Sequence, residues 1–461
     1  MNRLLISAAH KSSGKTTLSI GLCAAFRSQG KTVQSFKKGP DYIDPMWLSR
    51  ACGRDCHNLD FYTMQHHEIL ATLDRYSRDS DLAIIEGNKG LYDGLDIEGS
   101  NSNAALAQLT RTPVILVINV QGVTRGIAPL ILGYQNFEPD INIAGVILNQ
   151  IRGSRHESKL RAVLEHYTDV PVVGAVYHNP DLQIMERHLG LIPSNETQEA
   201  DARVAQIGDL IAQQVELDKL MQIAESADEL PAYKFMRSPF PDSERIVRIA
   251  VARDAAFGFY YPEDFQALKD AGAKLVFFDT LQDSQLPDCD ALFIGGGFPE
   301  AKMQQLSDNR SLRQNIYTAI ENGMPAYAEC GGLMYLSRGI HWHDQYHEMV
   351  GIIPADTRMY DRPQGRGYIQ LRETEHSLWP TIETRKDAII PGHEFHYSAL
   401  ENITKLDFAY QVVRGTGIDG KNDGIIYKNL LANYAHLRDT SANHWAQRFV
   451  AFIRNCALSK T

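Results

Sequence analysis

Short apolar runs alternate with amphipathic stretches through the first half of the chain. The alternation predicts strands over residues 4–8, 32–37, 82–86, 114–119, 143–149 and 172–177. Between them, apolar positions recur with helical period over residues 16–28, 125–135, 157–166 and 201–223. Short strands alternating with helices are the pattern of a mostly parallel sheet covered on both faces. The pattern breaks over residues 226–245, where Pro231, Pro239 and Pro241 punctuate a polar stretch that reads as a linker. A second alternation starts at residues 246–252 and continues through 274–278, 291–294 and 325–329 before shorter elements follow. The expectation is two α/β domains, 1–225 and 246–461, joined by that linker.

A length of 461 residues agrees with two domains, since one ordinary core would not hold it. Hydrophobic content of 44% and charged content of 22% fit a soluble globular protein. The net charge of −10 argues against a nucleic-acid partner. A local pair such as Lys37-Lys38 can still invert the field in one cleft. Six scattered cysteines read as reduced thiols in a cytoplasmic setting. Cys52-x3-Cys56-His57 lacks a second ligand pair at zinc-finger spacing and reads as structural. No signal-peptide pattern opens the chain, and no apolar run reaches the roughly 18 residues of a membrane span.

The first strand runs into Ala9-His10-Lys11-Ser12-Ser13-Gly14-Lys15-Thr16-Thr17 and then a helix. Strand, polar loop and helix are the context in which backbone N–H groups cradle phosphate. Ser12, Ser13, Gly14, Lys15, Thr16 and Thr17 are the expected ATP contacts, although Ala9 stands where such loops usually begin with glycine. Lys15, on a solvated loop, would reach the β- and γ-phosphates, and the Thr16 hydroxyl would hold Mg²⁺. Residues 82–87 form a buried strand ending in Glu86, as in a Walker-B element, so Glu86 is a second expected metal ligand.

Far downstream, Pro325-Ala326-Tyr327-Ala328-Glu329-Cys330-Gly331-Gly332-Leu333 reads as a strand, a cysteine on a tight turn and an amphipathic helix. A thiol at a helix N-terminus is activated and can accept an acyl group. Glycines at Gly296, Gly297 and Gly331 offer backbone N–H groups to a developing oxyanion. The base is left open by the sequence among His393, His396 and His436.

These residues resemble the glutamine-dependent a,c-diamide synthases of tetrapyrrole biosynthesis over essentially the whole chain. The resemblance rests on Lys37-Lys38-Gly39-Pro40-Asp41-Tyr42-Ile43-Asp44-Pro45, Glu86-Gly87-x-x-Gly90-Leu91-Tyr92-Asp93-Gly94 and Glu186-Arg187-His188-Leu189-Gly190-Leu191. It rests also on Ala328-Glu329-Cys330-Gly331-Gly332, Gly392-His393-Glu394-Phe395-His396-Tyr397-Ser398 and Tyr434-x-His436. It implies an N-terminal P-loop domain of the dethiobiotin-synthetase type and a C-terminal class I glutamine amidotransferase-like α/β domain.

By the same resemblance Cys330 is the nucleophile and His436 its histidine. Arg438 stands where many amidotransferases carry the third acid, leaving a dyad. Asp41, Tyr42, Asp44 and Asp93 would handle substrate, with Asp41 joining Thr16 and Glu86 at the metal. Arg187, His188 and the Lys37-Lys38 pair would meet ring carboxylates. His393 and His396 would lie near the tetrapyrrole or the domain junction. The implied reaction converts a ring carboxylate to an acyl phosphate with ATP and Mg²⁺, which ammonia from glutamine then attacks. The implied partners are glutamine and an anionic tetrapyrrole, with a homodimer left open. Ile43 at a variable position leaves room for a ring other than cobyrinate, and the stretches Ala8-Ala9-His10-Lys11-Ser12-Ser13 and Gly99-Ser100-Asn101-Ser102-Asn103 resemble most the siroheme or sirohydrochlorin branch. Two rivals remain, a ParA/MinD-type regulatory ATPase with a C-terminal binding module and a ligase that takes free ammonia. The first usually carries a signature lysine where this chain has His10.

Overall fold

A computed structural model describes the chain except residues 183–185, 188–189, 197–198, 234–245, 381–387, 405 and 459–461. For residues 186, 187, 190 and 191 it describes the backbone alone. The chain divides into two compact units, Met1–Phe235 and Met236–Thr461.

The first unit runs β1 (Arg3–Ala8), α1 (Lys15–Ser28), β2 (Val33–Lys38), α2 (Ile43–Cys52), β3 (His57–Leu59), α3 (His66–Ser77) and β4 (Leu82–Glu86). It continues α4 (Asn103–Thr110), β5 (Val114–Asn119), α5 (Ile127–Phe137), β6 (Ile143–Ile151), α6 (Ser154–Tyr167) and β7 (Val172–Tyr177). The short pair β8 (Glu186–Arg187) and β9 (Gly190–Leu191) and the helices α7 (Ala200–Ala212) and α8 (Leu217–Glu225) complete it. Seven strands form one sheet in the order β3-β2-β4-β1-β5-β6-β7, every pairing parallel. All residues of β1, β2 and β4 are buried, as a sheet covered on both faces requires. Register then fixes chemistry, because Lys37 pairs with Glu86 across β2 and β4, and Ile6 pairs with Glu86 across β1 and β4. Both side chains thus emerge beside the loop that leaves β1.

The single helix expected over residues 201–223 is two helices. Strand β7 lies at the sheet edge, and its polar backbone needs partners. Residues between α7 and α8 supply them: Ala175 N donates to Gln214 O at 3.0 Å, and Glu216 N donates to Val173 O at 2.8 Å. The Gln214 side chain accepts from Tyr177 N at 2.7 Å. Interrupting the helix is the cost of covering that edge. The first part of the expected linker also packs back: Arg3 donates to the Asp228 carbonyl, Leu230 joins the core, and Tyr233 OH reaches Asp74 at 2.6 Å.

The second unit begins with β10 (Val247–Ala252), β11 (Phe257–Phe259), α9 (Pro262–Asp270), β12 (Ala273–Phe278), β13 (Ala291–Ile294) and β14 (Gly296–Gly297). Then come α10 (Met303–Asp308), α11 (Arg310–Glu321), β15 (Ala326–Glu329) and α12 (Gly331–Leu336). A mostly antiparallel portion follows, with β16 (Gly339–Trp342), β17 (Gln345–Glu348), β18 (Asp356–Met359), β19 (Gly365–Glu373) and β20 (Ile389–His396). It ends in β21 (Ser398–Glu401), β22 (Asp407–Arg414), β23 (Asn422–Tyr427), β24 (Leu430–Asn433) and α13 (Trp445–Leu458). The main sheet has nine strands in the order β12-β10-β13-β15-β24-β23-β22-β19-β20. Its half from β12 to β24 is parallel, and the rest is antiparallel. Among the described residues, no helix is long and apolar enough to cross a membrane.

Helices α1 and α7 meet through glycine. A Cβ built on Gly208 would lie 2.7 Å from the Ala24 Cβ, and one on Gly21 would lie 2.4 Å from Ile211 Cγ1. Gly208→Leu is therefore expected to push α7 off α1 and destabilise the first unit by about 1–3 kcal/mol, the usual cost of overpacking. Thermal unfolding of the variant measures this, and an unchanged transition would contradict the close crossing.

Candidate functional site

In the first unit the loop after β1 closes on α1. Ser12 has φ 65° and Gly14 φ 91°, so two of its residues adopt left-handed backbone. Ser13 Oγ donates to His10 O at 2.8 Å, and Asn149 Nδ2 donates to Ser13 O at 2.8 Å. A Cβ on Gly14 would lie 2.2 Å from Asn149 Nδ2, and the φ of 91° itself favours glycine there. Lys15 and Thr16 open α1 with Thr17 behind them. Lys15 is not solvated as expected. It is 8% exposed, because its Nζ turns inward to donate to Lys89 O at 2.5 Å, and burial lowers its pKa to about 8.

Beside this loop lies a buried charge cluster. Thr16 Oγ1 donates to Glu86 Oε1 at 2.6 Å and lies 3.2 Å from Asp44 Oδ2. Lys37 Nζ sits 2.5 Å from Asp44, 2.9 Å from Glu86 and 3.8 Å from Asp41. Burial works against the Lys37 ammonium, but Asp44, Glu86 and Asp41 outweigh it and hold it charged. Lys37 is therefore engaged by carboxylates of its own unit. Lys38 is buried too, bonded to Asn88 Oδ1 at 3.0 Å, and burial lowers it to about 8. Asp41 is turned toward the start of α2, accepting from Ile43 N at 2.9 Å and Asp44 N at 3.1 Å. Asp44 supplies the carboxylate that accompanies Glu86 at Thr16. Tyr42 directly precedes α2, and Asp93 accepts from Gly90 N at 2.8 Å.

The donor set suits a small hard cation. Glu86 is fully buried, its Oε2 has no hydrogen-bond partner, and burial raises its pKa. That orphan oxygen, the Thr16 hydroxyl and Asp44 are the oxygen ligands Mg²⁺ prefers. Among the described residues no group of three or more His, Cys, Asp or Glu could hold a metal unaided. Mg²⁺ at a nucleotide takes one or two carboxylates plus phosphates and water, so such a cage is not needed.

The second site forms where β15 ends. Glu329 pairs with Asn433 across β15 and β24, and Cys330 N donates to Asn433 O at 2.7 Å. Cys330 turns the chain into α12 with φ 48° and ψ −101°, a strained geometry of the kind stored at functional sites. His436 lies three residues beyond Asn433 and hydrogen-bonds the Cys330 side chain. Burial pulls the imidazole down, but Cys330 and Glu329 outweigh it and raise His436 to about 10. Its Nδ1 faces Glu329 Oε2 at 3.3 Å.

Glycines let backbone crowd this turn. A Cβ on Gly331 would lie 2.9 Å from Gly297 N, and one on Gly296 would lie 2.5 Å from His436 Cε1. The amide edge of β14, the start of α12 and the histidine therefore share one small volume. The helix α12 is six residues long and buried all round, not the amphipathic helix its sequence suggested.

His393 and His396 lie inside the second unit. His393 N donates to His436 O at 3.1 Å, and His436 N donates to His393 O at 2.7 Å. Burial, reinforced by His436, lowers His393 to about 3, so it stays neutral. His396 stacks on Tyr434 at 3.9 Å with its Nδ1 on Ser398 O at 2.7 Å. Both histidines thus brace the segment that carries His436. Arg438 is buried, paired with Glu263 at 2.9 Å over the Tyr261 ring. The side chains of Arg187 and His188 lie outside the described residues.

Two participants escaped the sequence reading. Glu329 was visible beside the cysteine, but its partner sits 107 residues away, and only strand register joins them. Asn103 entered the sequence reading only as the end of the stretch 99–103, yet its Nδ2 bonds Ser7 Oγ, Asn88 O and Gly90 O within 3.0 Å, fixing the loop after β4.

Residues 2–186 match an AAA domain, and residues 248–443 match a CobB/CobQ-like glutamine amidotransferase domain. A cobyrinate a,c-diamide synthase of Magnetococcus marinus is 43% identical, the alignment covering 98% of this chain and 97% of that protein. One from Archaeoglobus fulgidus is 41% identical, covering 97% of this chain and 96% of its own length. One from Listeria innocua is 38% identical, with 95% and 96% covered.

The glycine that follows Gly331 offers a test. A Cβ on Gly332 would lie 2.2 Å from Ile294 O, backbone against backbone, where no rotamer gives relief. Gly332→Ala should destabilise the second unit by about 1–3 kcal/mol and displace the cysteine turn. Thermal unfolding and the iodoacetamide labelling rate of Cys330 measure both effects. Wild-type values for both would show that α12 does not press on β13.

Proposed function

The chain belongs to the cobyrinate a,c-diamide synthase family, and on that premise we propose that it amidates the a and c carboxylates of a tetrapyrrole, using ATP and glutamine. The observation that carries this reading is the buried Cys330–His436 pair beside Gly296, Gly297 and Gly331. A thiol so placed, in a chain whose other unit holds a phosphate loop against a carboxylate cluster, fits ammonia release coupled to carboxylate activation. The relatives' names favour a corrinoid acid as substrate over a sirohydrochlorin.

A carboxylate is a poor electrophile, so the ring acid is first converted to an acyl phosphate. The loop amides of residues 12–17 would hold the phosphates, and Lys15 would release Lys89 O to reach the transferring group. Mg²⁺, held by Thr16, Asp44 and Glu86, would offset phosphoryl charge. Lys37 keeps those carboxylates from repelling one another. Asp41, Tyr42 and Asp93 border this cluster and would face the ring substrate. Arg187 and His188 would bind its carboxylates, guanidinium doing so bidentately.

At the other site Cys330 Sγ attacks the glutamine amide carbon, its proton passing to His436. The amide nitrogens of Gly297 and Gly331 would face the oxyanion. His436 then gives its proton to the departing ammonia, leaving a thioester that water hydrolyses to glutamate. The ammonia must reach the acyl phosphate unprotonated, which calls for a passage closed to water.

Cys330→Ser should lower glutamine-driven amidation by about 10³-fold or more while activity with ammonium salt persists. Loss of both in a folded variant would refute separate sites. Lys15→Ala should reduce ATP turnover by about 10²–10³-fold with either nitrogen donor, as when a phosphate clamp is removed. Exact-mass analysis against cobyrinate, sirohydrochlorin, siroheme and their metal forms identifies the ring. Two carboxylates converted on one of them is the expected result, and amidation of none of them refutes the substrate class. Glutamine hydrolysis absent under every condition would favour a ligase that takes free ammonia or, with no amidation from ammonium either, a regulatory ATPase.

A further inference from the structure

Glutamine hydrolysis by a buried cysteine and histidine needs a third group that sets the imidazole's tautomer and aim. Where many amidotransferases carry that acid, this chain has Arg438, a cation that accepts no hydrogen bond and is bound to Glu263. The position is not left empty. Glu329, the residue immediately before the nucleophile, places Oε2 3.3 Å from His436 Nδ1.

Glu329 is held for that purpose from two sides. Tyr327 stands two residues earlier on β15, on the same face, and its OH donates to Glu329 Oε1 at 2.5 Å. Leu437 N donates to the same oxygen at 2.9 Å, tying the carboxylate to the segment that carries His436. With Oε1 satisfied twice, Oε2 is presented to the ring. Asn433 Nδ2 in turn donates to Tyr327 OH at 3.2 Å, so both strands that meet at the site fix the phenol. Asp423 accepts from Tyr434 N at 3.0 Å and Ala435 N at 2.9 Å, setting the approach of His436.

We infer that Glu329 is the positioning acid of this amidotransferase site, so that the triad draws its acid and its nucleophile from adjacent residues of one strand end. The inference rests on the glutamine-hydrolysing role proposed for Cys330 and His436. Its carboxylate holds Nδ1 protonated, directs Nε2 to the thiol and stabilises the imidazolium formed when the thiol proton moves. Other titratable groups face the pair from neighbouring elements: His393 on β20, Tyr327 on β15, Tyr434 before His436 and Asp264 on α9. Burial keeps His393 neutral, raises both tyrosines and lifts Asp264 well above the carboxylate range. The Glu329 carboxylate lies 3.3 Å from the imidazole.

The test separates charge from shape in the full-length chain. Iodoacetamide labelling of Cys330, followed on its peptide by mass spectrometry across pH, reports proton transfer from the thiol to His436 and needs no glutamine. Glu329→Gln keeps the side-chain shape and loses the charge. The midpoint at which the His436 imidazolium loses its proton, the upper limb of the labelling profile, should move down by about 1–3 pH units, the range expected for losing a neighbouring opposite charge. Glutamine-dependent kcat should fall by about 10²–10⁴-fold with little change in KM, while ammonium-driven amidation persists. Glu329→Asp keeps the charge and should return the midpoint most of the way to wild type. A merely structural role would disturb both variants alike, and a wild-type midpoint in Glu329→Gln would overturn the inference. Should Glu329→Gln fail to fold, Glu329→Asp against Glu329→Ala makes the same comparison, and equal midpoints overturn it. If wild type labels with the expected profile but hydrolyses no glutamine, the functional reading fails while the Glu329 comparison still decides the positioning role.

Discussion

A carboxylate that ends a buried strand must find partners, and both sites of this protein are built around that demand. Glu86 closes β4 at 0% exposure and Glu329 closes β15 at 4%. Neither can be left to water, because desolvating an ionised acid costs several kcal/mol unless donors or a cation compensate. Around Glu86 the compensation is Lys37 and Thr16, brought by the neighbouring strand and by the helix after the loop. Around Glu329 it is Tyr327, the Leu437 amide and His436. In each case the groups that quiet the acid stand among those the proposed chemistry would use.

Parallel pairing makes this repeatable. Strands that run the same way deliver their carboxyl ends to one edge, so residues remote in sequence meet there without long loops. Lys37 and Glu86 are 49 residues apart and are direct register partners. Glu329 and Asn433 are another such pair, and the short reach from Asn433 to His436 sets the histidine over the thiol. Where the second sheet turns antiparallel, the pairing of His393 with His436 locks that reach from the far side.

Much of this was legible before any coordinates. Strand 82–86 ends on the acid the apolar run predicted, and the loop from Ser12 to Thr17 opens α1 as its composition requires. Cys330 stands on the strained turn that its two following glycines announce. What stayed hidden depended on burial and register. Lys15 and Lys37 look like surface cations in the sequence, but the fold folds their stems inward. Residues 213–216 carry helical period, and the unpaired backbone of β7 overrides it. Glu329 stood one residue from Cys330, and its place beside His436 went unread because spacing along the chain says nothing about which ring will arrive opposite it.

The glycines around Cys330 have a genetic consequence. Gly296, Gly297, Gly331 and Gly332 each lack room for a single methyl group, the obstruction being backbone or the His436 ring. Each of these codons becomes an alanine codon by one base change, and the methyl so added must shift backbone or the His436 ring at the turn around Cys330.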